Sequence, residues 1–299
     1  MSTVTRVPAG SPPRDVPATS RTRKLLHRLP WWFAVGFLAV AALLWIYPFV
    51  WMVSASLKSS MEVFSAGLSL IPEQFAWENY GRAWNDAGFS RYMLNTVIVT
   101  VATVAIVTVR CALAGYVLGR YSFRGSKVVL GVLVATLFVP TGYTIIPVVK
   151  LSLDLGLLNS LSGMVLALSG MANVSAILIY AGYFRQLPKE LEEAAIVDGA
   201  GFFRVFTMIM LPLSMPVTAT VALLTFLGTW NAFFLPLVFS FSRPELRTLS
   251  VGMQAFVGEN AVDWSGMAAA GVVSIVPIVV LFLFLQRYFV EGIAGAVKS

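Results

Sequence analysis

The side chains that carry most enzymatic chemistry are scarce in this sequence, which has one histidine, His27, and one cysteine, Cys111. This excludes a disulfide framework, a Cys/His zinc cluster and a Ser-His-Asp triad, so the sequence offers no catalytic residues and no metal-ligand set. The nearest approach to a phosphate-binding loop, Gly119 to Lys127, has five residues between its glycines where the nucleotide-binding motif has four, and Ser126 intrudes before the lysine. The carboxylates avoid the apolar runs, and Glu190, Glu192, Glu193 and Asp198 gather in one segment between Arg185 and Arg204. An intramembrane enzyme would need facing acids, a Ser/Lys pair or a metal cluster within its spans. A secondary carrier would need internal repeats or ion-binding carboxylates in broken helices. Neither pattern is present.

The elements that position these residues follow from composition. Of 299 residues, 58% are hydrophobic and 12% charged, about half the charged share of a soluble domain. With a mean hydropathy of +0.81, lipid is the expected solvent. Six cations, Arg6, Arg14, Arg21, Arg23, Lys24 and Arg28, lie among Ser, Thr and Pro in residues 1–30, which read as a disordered cytoplasmic tail. The tail has no aromatic residue on which a base could stack, so no nucleic-acid partner is expected.

Residues 31–299 read as an all-α, polytopic domain of six transmembrane helices. Trp31 to Leu57 is uncharged and too long for a cleavable signal core. Five further apolar runs approach the roughly 20 residues that cross a bilayer: Tyr92 to Val109, continuing past Arg110 to Gly119; Val128 to Val149; Leu155 to Phe184; Val205 to Ser242; and Ser265 to Gln286. The fourth of these is too long for one straight span, and Pro212, Pro216 and Pro236 divide it into an interfacial start, one span and an exit. Pro140, Pro147 and Pro277 should each bend the span that contains it. Six spans place both termini on one side, which then holds fourteen Lys and Arg against six on the other. Both termini are therefore expected in the cytoplasm, in a multi-pass plasma-membrane protein.

The segment Arg185 to Arg204 carries helix signals of its own. Pro188 and three glutamates suit a first turn, and Gly199 suits a left-handed stop. The result is a helix of about ten residues, half the length of a span. Leu187, Leu191, Ala194, Ala195 and Asp198 fall on one side of it, and the two alanines allow close approach. The same signals fit a solvated connector with a helical turn.

Glu193-Ala194-Ala195, then Asp198-Gly199-Ala200, Ile209 and Leu211-Pro212, resemble the EAA loop of permease subunits in bacterial ATP-binding-cassette importers. Leu187 to Glu193, Trp230-Asn231, Gln286 to Phe289 and Gly295-Ala296-Val297-Lys298 extend the resemblance to the carbohydrate branch, whose maltose-type G subunits are similar. The match runs from about Asn95-Thr96 to the C-terminus.

The resemblance implies a type I importer permease fold with a core over about 91–287 and a coupling loop at 185–212. The implied function is that of a permease half, not an enzyme, moving an oligosaccharide or disaccharide, with a polyol or glycerol phosphate as the alternative. The implied partners are a second permease subunit, two cytoplasmic ATPase subunits that bind ATP and magnesium, and an extracytoplasmic solute-binding protein. No cofactor is expected in this subunit. In such systems the EAA helix docks into the ATPase, the C-terminal residues insert between the two ATPases, and the loop before the last span, here Arg243 to Trp264, contacts the binding protein.

Within the spans, Asn231, Asn95 and Asn173 are candidates for a polar translocation path, while interhelical hydrogen bonds are the alternative for Asn95 and Asn173. Arg110, about 15 Å along its helix from Arg120, must snorkel, bond an interhelical carbonyl, or line an aqueous path.

Overall fold

The computed structural model describes residues 29–296 apart from 66, 68, 172 and 259–261. The expected tail at 1–30 lies outside the described residues except for Leu29 and Pro30, which open the first helix. The chain divides into two compact units, Met1–Trp51 and Met52–Ser299. The described residues form an all-α fold whose one β feature is an isolated Val257–Val262 bridge.

Helix α1, Leu29–Ser56, begins in the first unit. In the second unit the principal elements are α2 (Phe89–Arg120), α3 (Ser126–Thr136), α4 (Thr141–Asp154), α5 (Leu161–Gly170), α6 (Val174–Gln186), α7 (Glu190–Val197), α8 (Met215–Trp230), α9 (Phe234–Phe239) and α10 (Trp264–Ala296). Three helices have an unbroken segment long and apolar enough to cross a membrane: Trp31–Ser56 of α1, all of α2, and Trp264–Gln286 of α10. Two bent pairs qualify when each is taken as one span: α5 with α6, bent by 57°, and Phe202–Leu213 with α8, bent by 80°.

The expected third span, Val128 to Val149, is not one helix. It is divided into α3, of 11 residues, and α4, of 14. Pro140 stands at the N-cap of α4 with ψ 126°. Its ring disfavours helical geometry in the residue before it and it has no N–H to donate, so the helix stops instead of bending. Pro147 and Pro277, by contrast, lie inside helices that continue through them. The run from Val205 to Ser242 breaks at Ser214 and again at 231–233, giving a short entry, the span α8 and the exit helix α9.

The centre of the second unit is α2. Its buried residues Asn95, Val99, Thr103, Val107, Cys111 and Gly115 recur at helical spacing, so a continuous stripe faces neighbouring helices. Near its end α2 meets α6 at very close range. A Cβ at Gly115 would press on the Tyr180 Cβ and lie 3.0 Å from the Ala181 nitrogen, and one at Gly119 would lie 2.8 Å from the Ala181 oxygen. Small residues at this spacing let two apolar helices gain dispersion where lipid supplies no hydrophobic drive. The same end holds a buried cluster built on Tyr116, Tyr180, Phe184, Ala195, Phe206 and Met210.

Candidate functional site

The EAA-like segment folds as the compact helix α7. Leu187 precedes Pro188 and is extended, with ψ 142°, so the helix starts at Glu190, later than the sequence signals suggest. Glu190, Glu192 and Glu193 occupy its first turn, where the unpaired N–H groups favour anions. At its end the Ala200 N–H donates to the Ala195 carbonyl at 2.9 Å and the Gly199 N–H to the Ile196 carbonyl at 3.0 Å. With Gly199 at φ +80° this is a Schellman stop, the left-handed residue being the glycine.

The segment's residues divide between two roles. Ala195 is buried, and Leu187, Ala200, Ile209 and Leu211 pack against the Tyr116–Phe184–Met210 cluster. These residues seat α7 on its own chain, which corrects the reading of Ala194 and Ala195 as one small-residue approach face. The surface is instead formed by Glu190, Glu193, Ala194, Asp198 and Gly199 together with Ile196 and Val197, which are 58% and 86% exposed. Pro212 is exposed in the short Leu211–Leu213 turn that follows.

Arg120, counted in the sequence merely as a topological charge, is the polar centre of this region. Its Nε donates to Glu192 Oε2 at 2.9 Å, and Nη1 donates to the carbonyls of Leu187 at 2.7 Å and Phe184 at 3.2 Å. Nη2 reaches the Pro188 carbonyl at 3.3 Å. A basic residue at a helix end is visible in sequence, but its acid 72 residues further on is not.

The three asparagines separate. Asn95 is buried, and its amide donates to the carbonyls of Glu245 and Arg247, each at 2.9 Å. Next to it, Thr96 Oγ1 accepts the Leu249 N–H at 2.8 Å. Asn95 therefore anchors the 245–249 segment, with both of its amide hydrogens used. Asn173 lies at the bend between α5 and α6, where it lines a cavity of about 430 Å³ with Thr103, Ser175, Thr225 and Thr229. Asn231 is exposed at the end of α8 and donates to the Leu227 carbonyl at 2.8 Å. The neighbouring Trp230 is buried, with its Nε1 donating to the Ser274 carbonyl at 3.2 Å.

Arg110 takes the interhelical option. Its Nη2 donates at 3.1 Å to the carbonyl of Met171, at the break between α5 and α6. A broken helix leaves its last carbonyls without partners, and the guanidinium supplies one.

At the opposite end of α2, the loop before α10 is held by two ion pairs. Arg243 Nε contacts Glu245 Oε1 at 2.7 Å. Backbone hydrogen bonding and then this arginine hold the Glu245 carboxyl below the usual range. Arg82 Nη1 lies 3.4 Å from Asp263 Oδ2, while Asp263 Oδ1 accepts from Ser60 and Ser265 hydroxyls, both at 3.1 Å, and from the Gly266 N–H at 2.9 Å. Burial pushes the Asp263 carboxyl up, but the Gly266 N–H, Arg82 and the serine hydroxyls outweigh it and hold the group low. Phe256 is buried here and is not a free surface aromatic, while Glu259 lies outside the described residues. Of the C-terminal match, Gly295 and Ala296 end α10, whereas Val297 and Lys298 lie outside the described residues.

The described residues thus form an all-helical domain with membrane-spanning helices and an exposed short helix seated on the ends of its spans. Residues 111–295 match the family described as binding-protein-dependent transport system inner membrane component, and the chain belongs to that family of multi-pass membrane subunits. It is 36% identical over 256 residues to the diacetylchitobiose uptake system permease protein of Streptomyces coelicolor, covering 85% of this chain and 83% of that one. It is 31% identical over 263 residues to the melibiose/raffinose/stachyose import permease protein of Bacillus subtilis, covering 87% and 94%. Among solved structures, a bacterial ABC transporter that imports the acidic polysaccharide alginate superposes with a TM-score of 0.76 at 26% identity, covering 92% of this chain and all of that one.

Proposed function

We propose that the chain is one half of a heterodimeric permease in an ATP-driven importer of oligosaccharides or disaccharides. The observation that carries this reading is α7, an eight-residue helix with a Schellman stop whose apolar Ile196 and Val197 are exposed beside a buried seat. Such a rigid knob suits a cleft on another protein. In this reading the cleft belongs to a cytoplasmic ATPase subunit, two of which bind the ATP and magnesium, so this subunit needs no cofactor. Glu193, Ala194, Asp198 and Gly199 lie on the docking face, Ala195, Ala200, Ile209 and Leu211 support it, and the exposed Pro212 follows them in the coupling segment. Gly295, Ala296, Val297 and Lys298 insert between the two ATPases. The excess of Lys and Arg on the terminal side supports a cytoplasmic location for both termini, and in this reading the Arg243 to Trp264 loop faces an extracytoplasmic solute-binding protein. Asn173 and its cavity lie on the translocation path.

Relatives named for diacetylchitobiose, melibiose and arabino-oligosaccharide transport support the sugar assignment. The second reading, glycerol phosphate, rests on a 32% identical sn-glycerol-3-phosphate permease of Yersinia pestis. Proteoliposomes holding the chain with its partner half, ATPases and binding protein should take up melibiose, arabino-oligosaccharide or diacetylchitobiose only with ATP. ATP-driven uptake of glycerol 3-phosphate and none of these sugars would decide for the second reading.

A further inference from the structure

We infer that Arg120 and Glu192 form a permanently closed joint that makes α7 and the adjoining ends of α2 and α6 move as one rigid body. The inference rests on the docking role proposed for α7 and names the residues that transmit its movement.

Arg120 is the last residue of α2 and Glu192 lies in the first turn of α7, with 2.9 Å between Nε and Oε2. The two side chains are 4% and 14% exposed. Among the described residues this is the side-chain hydrogen bond that links α7 to a span. The same guanidinium also bonds the carbonyls of Phe184, Leu187 and Pro188, so one planar group gathers the end of α2, the end of α6 and the approach to α7. Its fork of donors makes this possible, whereas an ammonium is a single point charge.

Closure throughout the cycle follows from burial. The Tyr116 ring packs against Tyr121, Phe184 and Phe202 with centroids 5.4 to 5.5 Å apart, and the Tyr116 and Tyr121 hydroxyls are 3.2 Å from each other beside this pair. Glu192 Oε1 is also buried and has no hydrogen-bond partner among the described residues, so the Arg120 bond to Oε2 is the carboxylate's hydrogen bond here. Separating the ions without opening this wall would leave two uncompensated charges out of water, which costs far more than moving the ensemble together. Displacement of α7 is therefore delivered to α2 and α6 without loss. A purely packed seat, such as Ala195 alone makes, could slide.

The test uses the complete importer with Cys111 replaced by Ser and spin labels at Arg124→Cys, just beyond α2, and Leu191→Cys, an exposed residue of α7 outside the docking face. The label separation should be single, narrow and unchanged between the nucleotide-free and the ATP/vanadate-trapped states. Glu192→Gln preserves shape and should leave assembly intact, but broaden the distribution and lower ATP-driven uptake roughly tenfold. Arg120→Gln should do the same, and Arg120→Lys should restore part of the narrowing. A separation that changes between the two states in the otherwise unsubstituted protein overturns the joint, as do narrow distributions in both Glu192→Gln and Arg120→Gln. If, in a separate Val197→Cys variant, the ATPase subunits do not protect the thiol from a maleimide, the docking role is overturned instead, and the distances still judge the joint.

Discussion

The backbone of α2 at Gly119 runs so close to Ala181 of α6 that a Cβ there would stand 2.8 Å from the Ala181 oxygen and 3.3 Å from the Phe184 Cβ. One turn earlier Gly115 makes the same approach to Tyr180. This pair of glycines lets the two helices lie against each other just where α2 ends at Arg120. Gly115→Val or Gly119→Leu should therefore force the helices apart, costing about 1–3 kcal/mol or more. Thermal unfolding of the purified permease pair would fall by several degrees for either substitution. Gly131→Ala in α3, where a Cβ meets nothing within 4 Å, is the control and should unfold unchanged or slightly later.

Two substitutions in α7 should separate seat from surface. Ala195→Trp enters the buried cluster with Phe206 and Met210, so it should destabilise the permease itself. Val197→Glu changes a residue that is 86% exposed, and should leave folding and pairing intact while abolishing ATPase stimulation. Quantifying membrane-inserted permease beside ATPase activity distinguishes the two. Equal behaviour in both assays would contradict the division.

Gly199→Val meets no neighbour within 4 Å, so its penalty is conformational, about 1 kcal/mol or more at φ +80°. The Schellman bonds at Gly199 and Ala200 should weaken while the spans stay intact. Hydrogen exchange at the Gly199 and Ala200 amides would accelerate, whereas exchange in α2 would stay at its parent rate.

Asn95→Ala would leave the Glu245 and Arg247 carbonyls without their donor, and the buried location makes that cost about 1–3 kcal/mol. Limited proteolysis between Arg243 and Arg247 should become faster. ATP-driven uptake should fall less than after a bulky Asn173→Trp, because Asn95 is committed to the loop while Asn173 lines the cavity proposed as the path.

The low Asp263 carboxyl gives the 256–266 segment a pH dependence. Its pKa is depressed in the fold, so its contribution is present above the unfolded value near pH 3.9 and is lost as pH falls through the folded value. Acidification below about pH 4 should loosen the start of α10, read as faster exchange of the Gly266 amide. Asp263→Asn should show fast exchange at neutral pH and no acid step. An acid step that persists in that variant would place the titration elsewhere.

Topology is checked by labelling with a membrane-impermeant thiol reagent in a Cys111→Ser background. Gly258→Cys should react from outside the cell and Val197→Cys from inside only, since both positions are exposed. The reverse pattern would invert the reading of the charge asymmetry.

The run lengths of apolar residues placed α1, α2 and α10, because one 1.5 Å rise per residue converts length to thickness without reference to any neighbour. The EAA-like segment was equally legible: its start at Pro188, its acidic first turn and its stop at Gly199 are local chemistry, and the family resemblance rests on those residues. The division of Val128 to Val149 into two helices was less so, since a proline in an apolar run is compatible with either a bend or a stop, and neighbours that repair the lost hydrogen bond decide between them. What faces what was decided by tertiary structure. Ala194 and Ala195 are adjacent and chemically identical, yet the rotation of α7 on its seat buries one and exposes the other. Asn95 looked like a path residue until the carbonyls of 245 and 247 came within its reach. Arg120 looked like a topological charge until the fold brought Glu192 to it. Partners far apart in the chain are chosen by the packing of helices already formed, and residue type at either position does not encode that distance.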